Sequence, residues 1–205
     1  MPSIAIPPAR WARWVENFES RHGPATYAVE GGALAGRAED GSHFVARLPF
    51  DVQYDGVGDP AAFSAAVGHP EKWGVLLVRK GGFAIARLAG ERVEESKVGQ
   101  RHVQGRTKAG GQSQQRFARR RDNQARQAYE AAADHAARIL TGRMQIVAGG
   151  DRSAVDAVLT DARLAGLQVV PPWLTVPDPR RRILEDAVRD GTALQVDVHN
   201  AGDDR

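Results

Sequence analysis

A chain of 205 residues, 42% apolar, with 28 Lys and Arg against 25 Asp and Glu, has material for one sizeable domain or one domain with a small companion. The absence of cysteine excludes disulfides, thiolate nucleophiles and Cys-ligated zinc. The apolar stretches are too short to span a bilayer, and "MPSIAIPPARWARWVENF" lacks a basic segment leading into an apolar block, so a cytoplasmic location without membrane contact is expected.

Trp11, Trp14, Val15 and Phe18 recur at helical spacing and predict an amphipathic helix from about Pro8 to His22. These aromatics read as packing anchors rather than a base-stacking platform. "ATYAVEGGALAGRAEDGSHFVARLPF" reads as two or three short strands, with Gly31-Gly32 and Asp40-Gly41 supplying turns. "DVQYDGVGDP" follows as loop and "PAAFSAAVGHPEKW" as a modest helix. Residues 1–72 therefore form a small α+β region, with a boundary near Trp73.

Beyond it, Val75 to Arg79 is a continuous apolar strand, Lys80-Gly81-Gly82 a tight turn, and Phe83 to Leu88 an alternating strand. Glu91 to Val98 completes a meander. From Gly99 to Gln112 apolar periodicity disappears and Gly and polar residues dominate, the pattern of an exposed loop. Ser113 to Leu140 is a long helix whose packed face is Ala118, Ala125, Tyr129, Ala132, Ala136, Ile139 and Leu140, stopped by Gly142. "MQIVAGGD" is a buried strand entering a glycine turn, and Asp151 or Ser153 is placed to cap the helix "SAVDAVLTDARLAG". "LQVVPPWLTV" resumes strand character, "DPRRRILEDAVRDG" is helical, and "DVHNAGDDR" frays. The whole is α/β: a mixed β-sheet flanked by helices over residues 73–199, with 200–205 as a frayed tail.

Several chemistries are unsupported. The six histidines show no metal-ligand spacing, and there is neither a G-x-S-x-G elbow nor a G-x-x-x-x-G-K-[ST] loop. "AGGDRS" at Ala148–Ser153 is better explained as a strand-to-helix turn than as a phosphate cradle. Charge is more informative. Between Lys97 and Arg126 stand nine Lys and Arg and one acid, Asp122, which leaves 28 − 9 = 19 bases and 25 − 1 = 24 acids, a net of −5, elsewhere. Such a local excess points to a polyanion, most often nucleic acid.

Within that stretch, "TKAGGQSQQRFARRR" opens a helix with Arg116, Arg119, Arg120 and Arg121. Cations in the first turns oppose the helix dipole at about 0.3–1 kcal/mol each, so helix stability does not explain them. Docked phosphates would. Arginine suits that role through its planar, bidentate fork. Gly110 and Gly111 allow close backbone approach and positive φ.

This run resembles the catalytic loop and following helix of the eukaryotic and archaeal class I peptide-chain release factors. Gly110, Gly111, Gln112, Ser113, Arg116, Phe117, Ala118 and Arg119 match in register a Gly-Gly-Gln-Ser followed, after two variable residues, by Arg-Phe-Ala-Arg. "WGVLLVRKGGFAIARLAG" and "MQIVAGGDRSAV" are similar to the flanking strands, so the resemblance covers Trp73 to about His199. It is nearest to the stand-alone release-factor-like (VLRF-type) peptidyl-tRNA hydrolases of bacteria.

The resemblance implies a ribonuclease H-like sheet and hydrolysis of the peptidyl-tRNA ester at the peptidyl-transferase centre of the large ribosomal subunit. Gln112, Gly111 and Gly110 would be catalytic. Arg106, Lys108, Arg116, Arg119, Arg120 and Arg121 would bind tRNA or rRNA. It implies no cofactor and no metal, and a monomer is expected. The chain leaves no room for the family's codon-reading domain or its third, partner-binding domain, so release independent of a stop codon is expected, with residues 1–72 supplying ribosome or tRNA contacts. Two other readings stay open: a non-catalytic ribosome- or RNA-binding factor, and a metal-dependent nuclease, for which "GVLLVRK" offers no strand-borne carboxylate.

Overall fold

A computed structural model describes residues 3–100 and 112–202, over 112–125 as backbone alone. The chain forms two compact units, Met1–His69 with Arg189–Arg205, and Pro70–Val188.

The first unit is an antiparallel sheet built from β1 (Ser3–Ile6), β2 (Ala25–Glu30), β3 (Ala33–Ala38), β4 (His43–Arg47) and β10 (Leu194–His199), in the order β1-β10-β4-β3-β2. Period-2 patterning sets its faces: Ala25, Tyr27 and Val29 pack on the core while Thr26, Ala28 and Glu30 are exposed. Gly31 and Gly32, with φ of 56° and 75°, make the two-residue β2–β3 turn that twisted hairpin strands require. Against the inner face lie α1 (Trp11–His22), which follows a single 3-10 turn, and α2 (Pro60–Ala65).

Phe44 is the hub of this core. It is fully buried, with ring centroids 4.9 Å from Trp14, 5.1 Å from Phe18 and 5.8 Å from Trp11. Its ring lies over its cross-strand partner Gly36, where a Cβ would fall 2.3 Å from ring carbon. The indole N–H of Trp11 donates to Pro60 O at 2.8 Å and ties α1 to α2. The aromatics of α1 are packing groups, as their spacing predicts.

The chain's ends depart from the sequence reading. Ser3–Ile6, to which the sequence pattern assigns no element, is an edge strand, and Leu194–His199, placed with the second region and expected to fray from Asp197, is a strand between β1 and β4. Leu194 and Val196 are fully buried in the first core, and that burial outweighs the polar character of the tail. Even Ala201 is held, its N–H donating to the Ser42 hydroxyl at 3.0 Å.

The second unit has a mixed sheet of β5 (Lys72–Arg79), β6 (Gly82–Ala89), β7 (Arg92–Gln100), β8 (Met144–Gly150) and β9 (Leu167–Leu174), in the order β7-β6-β5-β8-β9. β5, β8 and β9 run parallel, and β6 and β7 form the antiparallel meander. The apolar run of β5 has Trp73 to Val78 all buried, as a central strand covered on both faces requires. Helices α3 (Gln112–Ile139) and α4 (Arg152–Leu159) pack on one face through Ala132, Ala136, Ile139, Val155 and Val158. α5 (Arg181–Gly191) follows β9 and leads the chain back into the first unit at Arg189. The architecture is thus α/β with helices on the sheets, and the N-terminal region supplies four strands of a separate five-stranded sheet that β10 completes.

Truncating Phe44 to Ala should remove about 3–5 kcal/mol of stability through lost transfer energy and the cavity left among its aromatic neighbours. Chemical denaturation that returned a loss below about 1 kcal/mol would contradict this packing.

Candidate functional site

Arg106, Lys108, Gly110 and Gly111 lie outside the described residues. Gln112 is the first residue of α3, and Arg116, Arg119, Arg120 and Arg121 follow on its backbone, their side chains likewise outside the description. The surrounding frame is well defined on both sides. On one side β7 ends at Gln100, paired with Gly82 of β6. On the other α3 runs 28 residues, about 42 Å at 1.5 Å per residue.

The far end of α3 is fastened by charge. The Arg87 guanidinium on β6 donates to Ile139 O at 2.9 Å, satisfying a carbonyl at the helix C-terminus, and pairs with Glu94 at 3.2 Å. Glu95, on β7, pairs with Arg138 of the last helical turn. Arg87 and Glu94 are only about a quarter exposed, so this cluster outranks an ordinary surface pair. Phe83 and His135 add a ring contact at 5.5 Å.

Helical periodicity sorts the arginines. At about 100° per residue, positions 112, 116, 119 and 120 fall on one strip of α3. The buried positions Ala128, Ala132, Ala136 and Ile139 fall on the opposite side. Position 121 belongs with the packed side and differs in this from its neighbours.

At the end of the sheet where β7 stops, three segments meet. Asp151, expected from sequence as a helix N-cap, makes no side-chain cap. Its carboxylate instead accepts from the Lys80 N–H at 3.3 Å and pairs with Arg79 Nε at 3.4 Å. The guanidinium of Arg79 is the stronger local attractor, and it donates also to Val176 O at 2.9 Å. Glycine is needed in the adjoining turn: at Gly150, φ is 96° and a Cβ would sit 2.3 Å from Val78 O. "AGGDRS" is accordingly a strand-to-helix turn whose aspartate pins the neighbouring β5–β6 turn. Arg152 at the start of α4 stacks over Trp173, 4.2 Å from the ring centroid. Tyr129 of α3 has its phenol pushed up by burial and then by the nearby Asp151 charge.

Sequence reasoning missed one convergence. His43 and His199 are cross-strand partners on β4 and β10, ring centroids 4.8 Å apart, although far apart in sequence. Among the described residues no group of three His, Cys, Asp or Glu could hold a metal ion. The first unit also has an apolar groove of about 310 Å³ lined by Trp11, Val15, Tyr27 and Pro60. The Tyr27 hydroxyl at its wall donates to Glu19 at 2.7 Å, and burial followed by that contact pushes the phenol up. None of the site residues expected from sequence lines it. Among the described residues no helix is long and apolar enough to cross a membrane.

In sequence, residues 101–111 lie between the edge strand β7 and the long helix α3 of this mixed α/β unit. Residues 71–197 match the Actinobacteria/Chloroflexi VLRF1 release factor family, and the chain belongs to that family. The match begins and ends within two residues of the stretch over which the sequence shows the resemblance. Among solved structures, the chain is similar to Archaeoglobus fulgidus Pelota, with 12% identity and a TM-score of 0.26, over 92% of this chain and 62% of that one. The chain thus spans under two thirds of the Pelota chain. No curated protein matches it.

Changing Asp151 to Asn should bring the Tyr129 phenol back toward its ordinary value, because the carboxylate charge that disfavours phenolate is gone. Phenolate absorbance, assigned with Tyr129→Phe, should then appear at lower pH than in the parent. An unchanged titration would show that the two groups do not interact.

Proposed function

We propose that the protein hydrolyses the ester joining a nascent peptide to the terminal ribose of tRNA, freeing the peptide from stalled ribosomes or large subunits without a stop codon. The observation that carries this reading is the register of Gly110-Gly111-Gln112-Ser113 with Arg116-Phe117-Ala118-Arg119, at the junction of an edge strand and a long helix, in a chain of the VLRF1 release factor family. The reading carries with it a cytoplasmic monomer that meets the peptidyl-transferase centre.

The ester is already activated, so the reaction needs a placed water, a donor for the developing oxyanion and exclusion of bulk solvent. Water attacks the carbonyl carbon, the tetrahedral intermediate collapses, and the 3′-oxygen leaves and takes up a proton. Gln112 would orient the water, with its backbone N–H directed at the oxyanion or the leaving oxygen. Gly110 and Gly111 would bring that backbone to the substrate without side-chain clash. Arg106, Lys108, Arg116, Arg119, Arg120 and Arg121 would hold tRNA or rRNA phosphates. From Gln112 to Ala128 is 128 − 112 = 16 residues of helix, about 24 Å along its axis.

The test is release from stalled ribosomal complexes by wild type, Gly111→Ala and Gln112→Ala. Wild type should yield free peptide and intact tRNA. Gly111→Ala should lose about 10²–10³ in rate while ribosome binding persists, the size of effect expected when one preorganised donor is displaced. Gln112→Ala separates the side chain from the backbone N–H, which alanine retains. Shortened tRNA would indicate a nuclease, and binding without any release would indicate a non-catalytic factor. Either result would overturn the proposal.

A further inference from the structure

The end of the second sheet from which residues 101–111 depart carries more positive charge than its own fold uses. β5, β8 and β9 all finish there, since Val78 pairs with Gly150 and Gly149 with Leu174, and β7 finishes there opposite Gly82. Residues 79–81, 151–152 and 173–182, which are the connections at this end together with the adjoining residues of β5, β9, α4 and α5, contain Arg79, Lys80, Arg152, Arg180, Arg181 and Arg182 against Asp151 and Asp178, or 6 − 2 = +4. At the opposite end, segments 70–72, 89–92, 140–143 and 164–167 contain Lys72, Arg92 and Arg143 against Glu71 and Glu91, or 3 − 2 = +1.

The two kinds of cation at this end are distinguishable. Arg79 is consumed internally by Asp151 and Val176 O, and Arg181 donates to Ser96 Oγ of β7 at 2.9 Å. Lys80, Arg152, Arg180 and Arg182 are exposed, and among the described residues none pairs with a carboxylate. Arg152 has its guanidinium carbon over the indole of Trp173, 4.2 Å from the ring centroid, a cation–π contact that uses none of its N–H donors. Of the two acids in these segments, Asp151 is committed to Arg79 and the Lys80 N–H, and Asp178 beside Gly81 is the single carboxylate left against four cations. Exposed, unpaired, arginine-rich cations drawn from three separate elements match a phosphodiester backbone rather than isolated acidic groups.

We infer that Lys80, Arg152, Arg180 and Arg182 form a second RNA-backbone contact, on the second unit itself, beside the root of the Gly-Gly-Gln segment. It depends on the proposed function above for taking the polyanion to be RNA. It differs from the α3 arginines in being carried by the β5–β6 turn, the start of α4 and the start of α5.

The experiment measures affinity of the full chain for two probes, deacylated tRNA and vacant large ribosomal subunits, as salt is raised. Wild type is compared with Lys80→Gln/Arg180→Gln/Arg182→Gln, and with Lys72→Gln/Arg143→Gln as a control at the opposite end. The triple variant leaves Arg152 on Trp173. Without three of its phosphate-binding cations, the variant's affinity should fall on the order of tenfold or more and its log–log salt slope should shrink by about 2–3, the control keeping the wild-type slope. The probe that shows the weaker binding identifies the RNA source. Wild-type slopes in the triple variant for both probes, or equal reductions in the control, would overturn the inference. If the triple variant melts early, Arg182→Gln alone should lower the slope by about 1. Absence of ester hydrolysis in wild type together with the expected slope change would sink the catalytic reading and leave this contact standing.

Discussion

The arrangement depends on how the C-terminal end of α3 is held. A helix of 28 residues that packs on its sheet through Ala128, Ala132, Ala136 and Ile139 needs a fixed base if its other end is to carry a residue to a defined place. Arg87 provides that base. It reaches from β6 to the carbonyl of Ile139 and to Glu94, while the adjacent Glu95 takes Arg138. A cation at a helix C-terminus is favoured by the dipole, and a partly buried hydrogen bond to a charged donor is worth about 1.5–3 kcal/mol, so the clamp is strong where the helix ends. The same network ties α3 to β6 and β7, the two strands that lead into the segment preceding it. The two elements on either side of residues 101–111, β7 and α3, are therefore tied to each other at the ends away from that segment.

A second constraint lies in the first unit, where the strand nearest the C-terminus completes a sheet begun at the N-terminus. β10 sits between β1 and β4 and buries Leu194 and Val196, so the first sheet cannot be complete until nearly the whole chain has been laid down. Parting with β10 would leave β1 without a partner and expose the inner edge of β4. The family match, which ends at residue 197, runs through most of this strand, although its side chains serve the first core.

Much of this was legible because it is local. The period-2 alternation of residues 25–30, the glycine turn at 31–32, the buried run of β5 and the i, i+4 alanines of α3 each report their own environment within a few residues. What escaped was long-range. "LQVDVH" alternates properly, but nothing near it says that its partners are residues 3–6 and 43–47. The meeting of His43 and His199 is a consequence of that pairing and has no one-dimensional signature. Asp151 failed differently: its position favours capping, but Arg79, 72 residues earlier, competes for the carboxylate and wins because charge pairing outweighs a neutral N–H. The motif of the candidate site and the β6–β7 meander before it could both be read from sequence, whereas the Arg87 contact with Ile139 O, 52 residues away, could not.

The arginines of the second unit divide by what they face. Arg163 lies between Asp134 at 2.7 Å and Asp161 at 2.6 Å, and so fastens the connection after α4 to the middle of α3. Arg87 and Arg138 meet Glu94 and Glu95, and Arg79 meets Asp151. In each case a guanidinium joins segments distant in sequence, and its counter-charge comes from the chain. Apart from the partly buried Arg87 cluster, exposed pairs such as Arg163 with Asp134 are individually worth about 0–1 kcal/mol, so their role is to fix geometry more than to add stability. Lys80, Arg152, Arg180 and Arg182 share one end of the same sheet and lack such partners among the described residues, although Asp151 is close at hand. Because Arg79 already holds Asp151, the four stay uncompensated, and the internal pairing thereby preserves a positive field at the end of the sheet that carries the release-factor segment. That field extends about a Debye length, roughly 8–10 Å in physiological salt, so it acts on charges beyond the side chains' own contacts.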